Sequence, residues 1–410
     1  MWHFVHKRRN FSKKFMAKWS YLGIKPKKKM FNSVKSWFVN LRVWEKTVLI
    51  LVGLAALGLI IYFLLKGLGF GKWSETASST NIFQESSSSA EASSSVEVAK
   101  KDKVNPLDGV LVTQAEYNKI TSRSVLAVVF DNHFDARPQA GLNKADLVYE
   151  VLAEGGITRF LAFYSKEDAE EVGSVRSARI YFLDWVSEFN ALFAHVGGAS
   201  LAGPTNALGK IVEYGIRDLD QFSLGSPTYW RGTDKIAPHN VYSTIQKLWD
   251  EATREGFNQF DKFDIWQFED ELPKEERALK QEVSFSFGAG GDSLYDVKWV
   301  YQPQENVYNR YNGGIEQKDK NSGKTINTKN VAIEFVNQYS SGDSSGHLII
   351  ETVGEGRALI FKDGQVEEGT WKKESRLGRT KFYDSLGGEI QFNRGRTWIE
   401  ALPNGTAISY

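Results

Sequence analysis

The most constraining feature of this chain is an uncharged run from Thr47 to Leu65. Its nineteen residues are almost entirely apolar, and Lys46 and Lys66 bound them. As a helix the run would be ~28 Å long, about the thickness of a bilayer's hydrocarbon core. A cleaved signal peptide would have a shorter apolar stretch nearer the N-terminus. The run therefore predicts a retained transmembrane helix rather than a buried helix of a soluble protein.

Charge differs on the two sides of this run. Residues 1–46 contain thirteen Lys or Arg residues and one acidic residue, Glu45, whereas acidic residues outnumber basic ones after Lys66. Basic flanks stay on the cytoplasmic side of a membrane. We therefore predict a single-pass protein of the cell membrane, with residues 1–46 in the cytoplasm and the C-terminal domains extracytoplasmic.

Basic and aromatic residues are mixed within the predicted cytoplasmic segment. Between Met30 and Trp44 apolar residues recur at helical spacing with Lys35 and Arg42 between them. This pattern favours an amphipathic helix on the anionic inner leaflet. A disordered basic tail and a nucleic-acid-binding tail are the alternatives.

Composition excludes several classes of function. The chain has no cysteine, so disulfides, a thiolate nucleophile, cysteine-bound zinc and a lipid anchor on cysteine are all excluded. The acidic balance after Lys66 argues against nucleic acid as a partner of the extracytoplasmic part.

Three segments follow the predicted membrane helix. Residues 66–104 are rich in Ser and Glu and predict a flexible stalk. Residues 105–281 alternate strand-like and helix-like stretches and predict a mixed α/β (α+β) domain. Residues 282–410 contain short strands between Gly, Asn and Ser turns and predict an all-β, sandwich-like domain, with a hairpin at Asp363-Gly364.

Polar residues cluster where a predicted strand over 125–131 ends. Asp131, Asn132, His133, Asp135 and Arg137 follow in the motif FDNHFDARPQ. Residues that leave the carboxyl end of a strand often bind ligands in α/β folds. From this motif we take Asp131, Asn132 and Arg137 as candidate ligand-binding residues.

Two further stretches carry arginines beside turns. Glu154 and Arg159 flank a Gly-Gly turn, and Arg176, Ser177 and Arg179 lie where a helix is predicted to begin. Guanidinium groups near a helix N-terminus suit a carboxylate or phosphate ligand. The alternative is an internal network in which these arginines pair with acidic residues.

Two histidines are candidates for acid–base chemistry. His195 ends the predicted strand ALFAH, and His239 lies beside Asn240 in the loop APHN. Each could equally be a structural histidine. With Glu154 as the acid or base, we predict that nine residues surround one cleft: Asp131, Asn132, Arg137, Glu154, Arg159, Arg176, Arg179, His195 and His239. Ser177 and Asn240 are further candidate ligand-binding residues. No metal-binding, GxSxG, Walker or Rossmann motif is present, so we predict no metal and no cofactor.

Several sequence blocks resemble one known family. FDNHFDARPQAGLNKADLVYEVLAEGGITRFLAFY, GSVRSARIYFLDW, AHVGG and APHN resemble blocks of the YerB-like family, and VYNRY, NVAIEF and GRTWIEALP resemble its C-terminal part. The resemblance covers residues 105–410. It implies an extracytoplasmic, lipoprotein-like protein of Gram-positive bacteria with domains of unknown function and no established enzymatic activity. This chain departs from the family in lacking a lipobox cysteine.

These observations lead to a ranked set of functions. The first is a binding or accessory protein of the cell envelope that contacts anionic wall components or wall-synthesis proteins. The second is a wall-directed hydrolase or transferase with His/Glu acid–base chemistry. The third is a scaffold whose polar residues only stabilise the fold. A binding protein or an enzyme requires the candidate residues to converge in one open cleft, whereas a scaffold does not.

Overall fold

The computed structural model describes residues 99–410 except 167–168, 258 and 288–292. The predicted cytoplasmic segment, the transmembrane helix 47–65 and most of the predicted stalk lie outside the described residues. Within the described ranges, no helix is long and apolar enough to cross a membrane. The end of the predicted stalk is a strand instead, because the backbone of Lys101–Val104 pairs with Leu111–Thr113.

Among the described residues, α-helices occur only in the first half of the chain, before residue 281. The α-helices there are α1 (Gln114–Ile120), α2 (Phe182–Glu188), α3 (Ala207–Tyr214), α4 (Gln221–Leu224) and α5 (Ile245–Arg254). The strands of the same half are β1 (Lys101–Val104), β2 (Leu111–Thr113), β3 (Leu126–Asp131), β4 (Leu147–Leu152), β5 (Thr158–Tyr164), β6 (Val172–Gly173), β7 (Leu192–His195), β8 (Arg217–Asp220), β9 (Trp230–Arg231), β10 (Val241–Ser243) and β11 (Phe268–Glu269). The predicted mixture of strands and helices before residue 281 is confirmed.

The second half is rich in strands, as predicted. They are β12 (Glu282–Ser286), β13 (Asp296–Gln302), β14 (Val307–Asn312), β15 (Ile315–Glu316), β16 (Asn327–Thr328), β17 (Asn330–Val336), β18 (Gln338–Ser340), β19 (Leu348–Ile350), β20 (Gly354–Lys362), β21 (Gln365–Lys373), β22 (Lys381–Asp384), β23 (Phe392–Asn393), β24 (Thr397–Pro403) and β25 (Ile408–Ser409).

A ten-stranded sheet contains strands from both halves. Its order is β22–β21–β20–β17–β24–β4–β5–β3–β7–β8. β24 lies between β17 and β4 and runs parallel to both. The expected self-contained sandwich over 282–410 is therefore not observed, since five strands of that segment extend the sheet of the α/β segment. A sequence pattern of short apolar stretches between turn residues predicts that strands exist, but it does not show which strands pair.

Both faces of this sheet are covered. One face packs against α5 and a six-stranded sheet built from β12–β16 and β25. The other face packs against α2 and α3. Strands buried on both faces lose the simple alternation of apolar and polar residues, which explains why the sequence of β4 is ambiguous when examined alone.

The predicted hairpin at Asp363-Gly364 joins β20 to β21. Both turn residues have positive φ, 53° and 73°, as a type I′ turn requires. Glycine is also needed because a Cβ at Gly364 would lie 2.5 Å from the ring of Tyr301. This prediction is confirmed.

A buried charged group lies on the face of the sheet beneath α2. Glu188 of α2 bonds to Arg379 and to Thr380 Oγ1 and lies 3.0 Å from Lys373 Nζ. Glu334 of β17 is buried nearby. Burial, and then the charge of Glu188, raises the pKa of Glu334 to about 8, although Lys373 and Arg379 act in the opposite direction.

We expect Glu334→Gln to stabilise the protein at pH 8 and to have less effect at pH 5. An acid whose folded pKa exceeds its unfolded pKa loses stability as pH rises between the two values, here from 4.5 to about 8. The variant should raise the free energy of unfolding at pH 8 by at least the ~1.4 kcal/mol that corresponds to one pKa unit. Urea unfolding at pH 5, 6.5 and 8 measures it, with the exposed Glu374→Gln as control. An equal effect at all three pH values would contradict the assignment.

Candidate functional site

Asp131 is the centre of the candidate site. It is the last residue of β3 and is 2% exposed. Its Oδ1 accepts the backbone N–H of His133 at 2.9 Å, and its Oδ2 lies 2.7 Å from Nδ1 of His239 and 3.3 Å from Nε of Arg176. One buried carboxylate thus joins three separate segments of the chain.

His133 and His239 lie side by side above Asp131. Their rings stack with centroids 4.3 Å apart and planes inclined by 14°. The Nδ1 of His133 accepts the backbone N–H of Asp135 at 3.2 Å. Burial, and then the charge of His239, lowers the pKa of His133. One potential ligand atom from each of His133, Asp135 and His239 lies within 4.8 Å of the others.

The loop that carries His239 is tied to the loop that carries His133. Lys235 donates from Nζ to the carbonyls of Ala136 and Pro138, both at 2.6 Å. Burial lowers the pKa of Lys235 to about 8. Asn240, a predicted ligand residue, is used inside its own loop, where its side-chain amide donates to the carbonyls of Gly232 and Lys235.

The backbone of Arg176 is held by hydrogen bonds, and its side chain is partly exposed. Its backbone N–H donates to Val129 and its carbonyl accepts from Val196, so the residue lies between the ends of β3 and β7. Its side chain is 26% exposed, and its Nε faces Asp131. Within the described part of the chain, its two terminal nitrogens form no hydrogen bond.

Glu154, Arg159 and Arg179 form a separate ion-pair cluster. Nη2 of Arg159 and Nη2 of Arg179 lie 3.0 and 2.7 Å from Oε2 of Glu154, and Nε of Arg179 bonds to Oε1. Burial alone would raise the pKa of Glu154, but the two arginines outweigh it and lower the value to about 2. Of the predicted roles of Glu154 as acid or base, the acid role does not fit, because the group is a carboxylate near neutral pH and has no proton to donate.

The two clusters are adjacent through Ser177. Its backbone carbonyl accepts from Nη1 of Arg159 at 3.3 Å, and its chain neighbour is Arg176. Burial, and then the charge of Arg179, lowers the pKa of Arg159 to about 10. Ser177 thus contributes its backbone to the arrangement.

The side chains of Asn132, which is buried, and Arg137, which is half-buried, both bond to other parts of the protein. The side-chain amide of Asn132 donates to Thr158 Oγ1 at 2.7 Å and to Asn312 Oδ1 at 2.9 Å. Arg137 is extended, as the following proline predicts, and it donates to the carbonyls of Asn132 and Leu294 at 3.0 and 2.8 Å. Asn132 therefore connects the end of β3 to β14 of the six-stranded sheet, and Arg137 connects it to the turn that precedes β13.

Glu150 lies beneath this network at the interface of the two sheets. Its Oε1 accepts from Thr158 Oγ1 at 2.6 Å and from Asn132 at 3.3 Å, and its Oε2 bonds to Arg310 of β14. Arg310 also donates to Gln317 at 2.5 Å. Both members of the ion pair are fully buried.

His195 has a structural environment of its own. The residue is fully buried at the end of β7. Its Nδ1 lies 2.8 Å from the carbonyl of Gly197, and its Nε2 lies 2.8 Å from Asp218 Oδ1. Neither ring nitrogen is free for a substrate, so we do not include His195 in the candidate site.

The predicted residues thus divide into groups and do not line one cleft. Asp131, Arg176 and His239 meet, whereas the Glu154 cluster, Asn132 with Arg137, and His195 each have other partners. Two surface cavities, of about 230 and 40 Å³, lie elsewhere, beside Lys362 and Tyr214 respectively. His133 and Asp135 belong to the site although the sequence-based set omitted them. The sequence feature that could have identified these two residues is their His-x-Asp spacing in a tight turn.

Comparisons with known proteins agree with the family resemblance seen in the sequence. Residues 111–258 match a family model described as the N-terminal domain of a protein of unknown function (DUF3048), and residues 286–399 match the C-terminal domain of that family. A Bacillus subtilis (strain 168) protein named "Putative lipoprotein YerB" is 32% identical over 317 residues, which are 76% of this chain and 90% of the relative.

A solved crystal structure of YerB from Bacillus subtilis is also similar. It matches with a TM-score of 0.66 and 30% sequence identity, over 75% of this chain and 100% of the solved chain. The chain belongs to the YerB-like family, as its sequence blocks predicted.

We expect Arg310→Met to destabilise the protein strongly. The substitution leaves Glu150 buried without its cation, a loss that costs about 3–5 kcal/mol in other buried pairs. Urea unfolding at pH 7 measures the change. Arg254→Gln, which removes an exposed partner of Glu251, serves as the control and should have a much smaller effect. Equal losses in the two variants would show that the Glu150–Arg310 pair does not hold the sheets together.

Proposed function

We propose that this chain is a binding or accessory protein of the cell envelope and that it binds an anionic component at Arg176. Carboxylate and phosphate groups are the ligands that suit a guanidinium, and both occur in wall polymers. The proposal rests on one observation above the others, the position of the Arg176 side chain.

Arg176 differs from the other three predicted arginines. Arg159 and Arg179 are occupied by Glu154, and Arg137 donates to backbone carbonyls. In Arg176, Nε lies 3.3 Å from Asp131, and the two terminal nitrogens form no hydrogen bond among the described residues, so they remain available in the fork geometry that a bidentate anion needs. The fixed backbone and the Asp131 contact reduce the entropy that Arg176 would lose on binding.

Asp131 and His239 favour a second candidate function, that of a wall-directed hydrolase or transferase. A carboxylate that orients Nδ1 of a histidine leaves Nε2 as a possible general base. Ser174 does not supply the matching nucleophile, because its buried hydroxyl bonds to the carbonyl of His239. The binding function therefore stays ahead of the enzymatic one.

The proposed location is the outer face of the cell membrane. The YerB relative is named as a lipoprotein, which is consistent with membrane anchoring outside the cytoplasm. This chain has no cysteine for a lipid, and its uncharged run 47–65 would take over the anchoring role.

Arg176→Gln should weaken wall binding about tenfold, the loss expected for one charge-assisted contact. Residues 95–410 form one compact unit and suit a soluble assay. Co-sedimentation with purified Bacillus subtilis cell walls measures the bound fraction, and tripolyphosphate should compete.

Arg357→Gln is the matched control for this assay. It also removes one positive charge, but Arg357 lies 3.6 Å from Glu368 on the exposed hairpin β20–β21. If both variants bind as well as the unmodified fragment, or if the unmodified fragment does not bind walls, the proposed anion site is wrong. Unfolding curves of each variant exclude loss of fold as the cause.

Protease added to intact protoplasts should cut the full-length protein and release a fragment that begins between residues 75 and 103. The predicted membrane orientation exposes the Ser-rich segment outside, while residues 1–46 remain protected. Mass spectrometry of the released fragment identifies its N-terminus. Protection of the C-terminal part, with digestion of residues 1–46, would reverse the orientation.

A further inference from the structure

The structure brings His133, Asp135 and His239 to one surface position. His133 and Asp135 lie two residues apart at a short 3₁₀ turn, and His239 approaches them from a loop about a hundred residues later. We propose that these three side chains form a binding site for a divalent transition metal, with Zn²⁺ as the best match. The inference does not depend on anion binding at Arg176.

The donor set determines which metal fits. Two imidazoles and one carboxylate provide nitrogen and oxygen ligands, which suit Zn²⁺ better than Mg²⁺ or Ca²⁺. With three protein ligands, at least one coordination position is left for water or another ligand. The group is partly accessible, since the side chains of His133 and Asp135 are 21% and 54% exposed.

Asp131 provides the carboxylate that commonly bonds to the second ring nitrogen of a metal-binding histidine. Its Oδ2 lies 2.7 Å from Nδ1 of His239, which fixes the ring and directs Nε2 away from Asp131. A carboxylate in this position raises the basicity of the ligand and is typical of histidine–zinc sites. Asp131 is not one of the three ligands, so this contact is an observation separate from their proximity.

The stacked rings of His133 and His239 show which side chain must move when a metal binds. A metal binds in the plane of an imidazole, and two nearly parallel rings cannot both point at one ion. His133 therefore has to turn, whereas His239 is held by Asp131. The contact of Nδ1 of His133 with the backbone N–H of Asp135, at 3.2 Å, is weaker than the His239–Asp131 contact.

The two other histidines among the described residues are poorer ligands. His195 is fully buried with both ring nitrogens engaged. The Nδ1 of His347 lies 2.6 Å from Asp343, and its Nε2 lies 3.9 Å from Glu154, whose carboxylate is already occupied by arginines. His347 provides a matched histidine control.

The test uses residues 95–410 without a histidine tag, after treatment with a chelator. The solved YerB chain is matched along its whole length by 75% of this chain, which supports independent folding of that part. Isothermal titration should show one Zn²⁺ per chain with micromolar or tighter affinity. Co²⁺ should give a visible absorption spectrum that Zn²⁺ displaces.

Variants separate the ligands from the supporting residue. His133→Ala and Asp135→Asn, at accessible positions, should each weaken Zn²⁺ binding at least tenfold and alter the Co²⁺ spectrum. His239→Gln should have the same effect. Asp131→Asn should weaken binding about 10–100-fold, as supporting carboxylates do. His347→Gln should leave the affinity unchanged.

Two results would overturn the metal site: no Zn²⁺ binding at micromolar concentration, or binding that His133→Ala and Asp135→Asn leave intact. If His239→Gln does not fold, these two variants still decide the question. Wall binding is measured separately in the presence of a chelator, so that it reports on the anion site without a metal. A fragment that binds walls but does not bind Zn²⁺ refutes only the metal site.

Discussion

An ion pair buried between two sheets is the interaction on which the described structure depends most. Glu150 of β4 and Arg310 of β14 are both fully buried, and hydrogen bonds to their remaining polar atoms offset part of the cost of burying the two charges. Thr158, Asn132 and Gln317 provide such bonds, whereas the buried Nε of Arg310 has no hydrogen-bond partner. Burial, and then the charge of Glu150, raises the pKa of the neighbouring Glu400 well above its ordinary value.

This pair also sets the geometry of the candidate site. Asn132 bonds to Glu150 and immediately follows Asp131, so the backbone at the end of β3 is fixed from beneath. Asp131 in turn positions His239 and Arg176 at the surface. The polar residues of the FDNHFDARPQ motif therefore have two roles on opposite sides of one strand end: some hold the sheets together, and others face outward.

The sequence predicted the elements better than their assembly. The strand β3, whose first five residues are apolar, and the Asp363-Gly364 turn have local causes, and both are confirmed. The pairing of β24 with β4 was not predictable, because strand pairing depends on surfaces from distant segments. The arginines illustrate the same limit for the site. Their number suggested an anion ligand, but only contacts with Glu154 show which of them are already neutralised.

The position of β24 has a consequence for how the chain reaches its folded state. Residues 397–403 lie between β4 and β17, and no earlier strand of the ten-stranded sheet joins its two halves. Each half therefore has an open edge until β24 pairs, and β24 lies some 250 positions after β4 in the sequence. Contacts of such long range are slow to form. A chain that has not yet added β24 would expose these edges, which makes the pairing of β24 the closing step in forming this sheet.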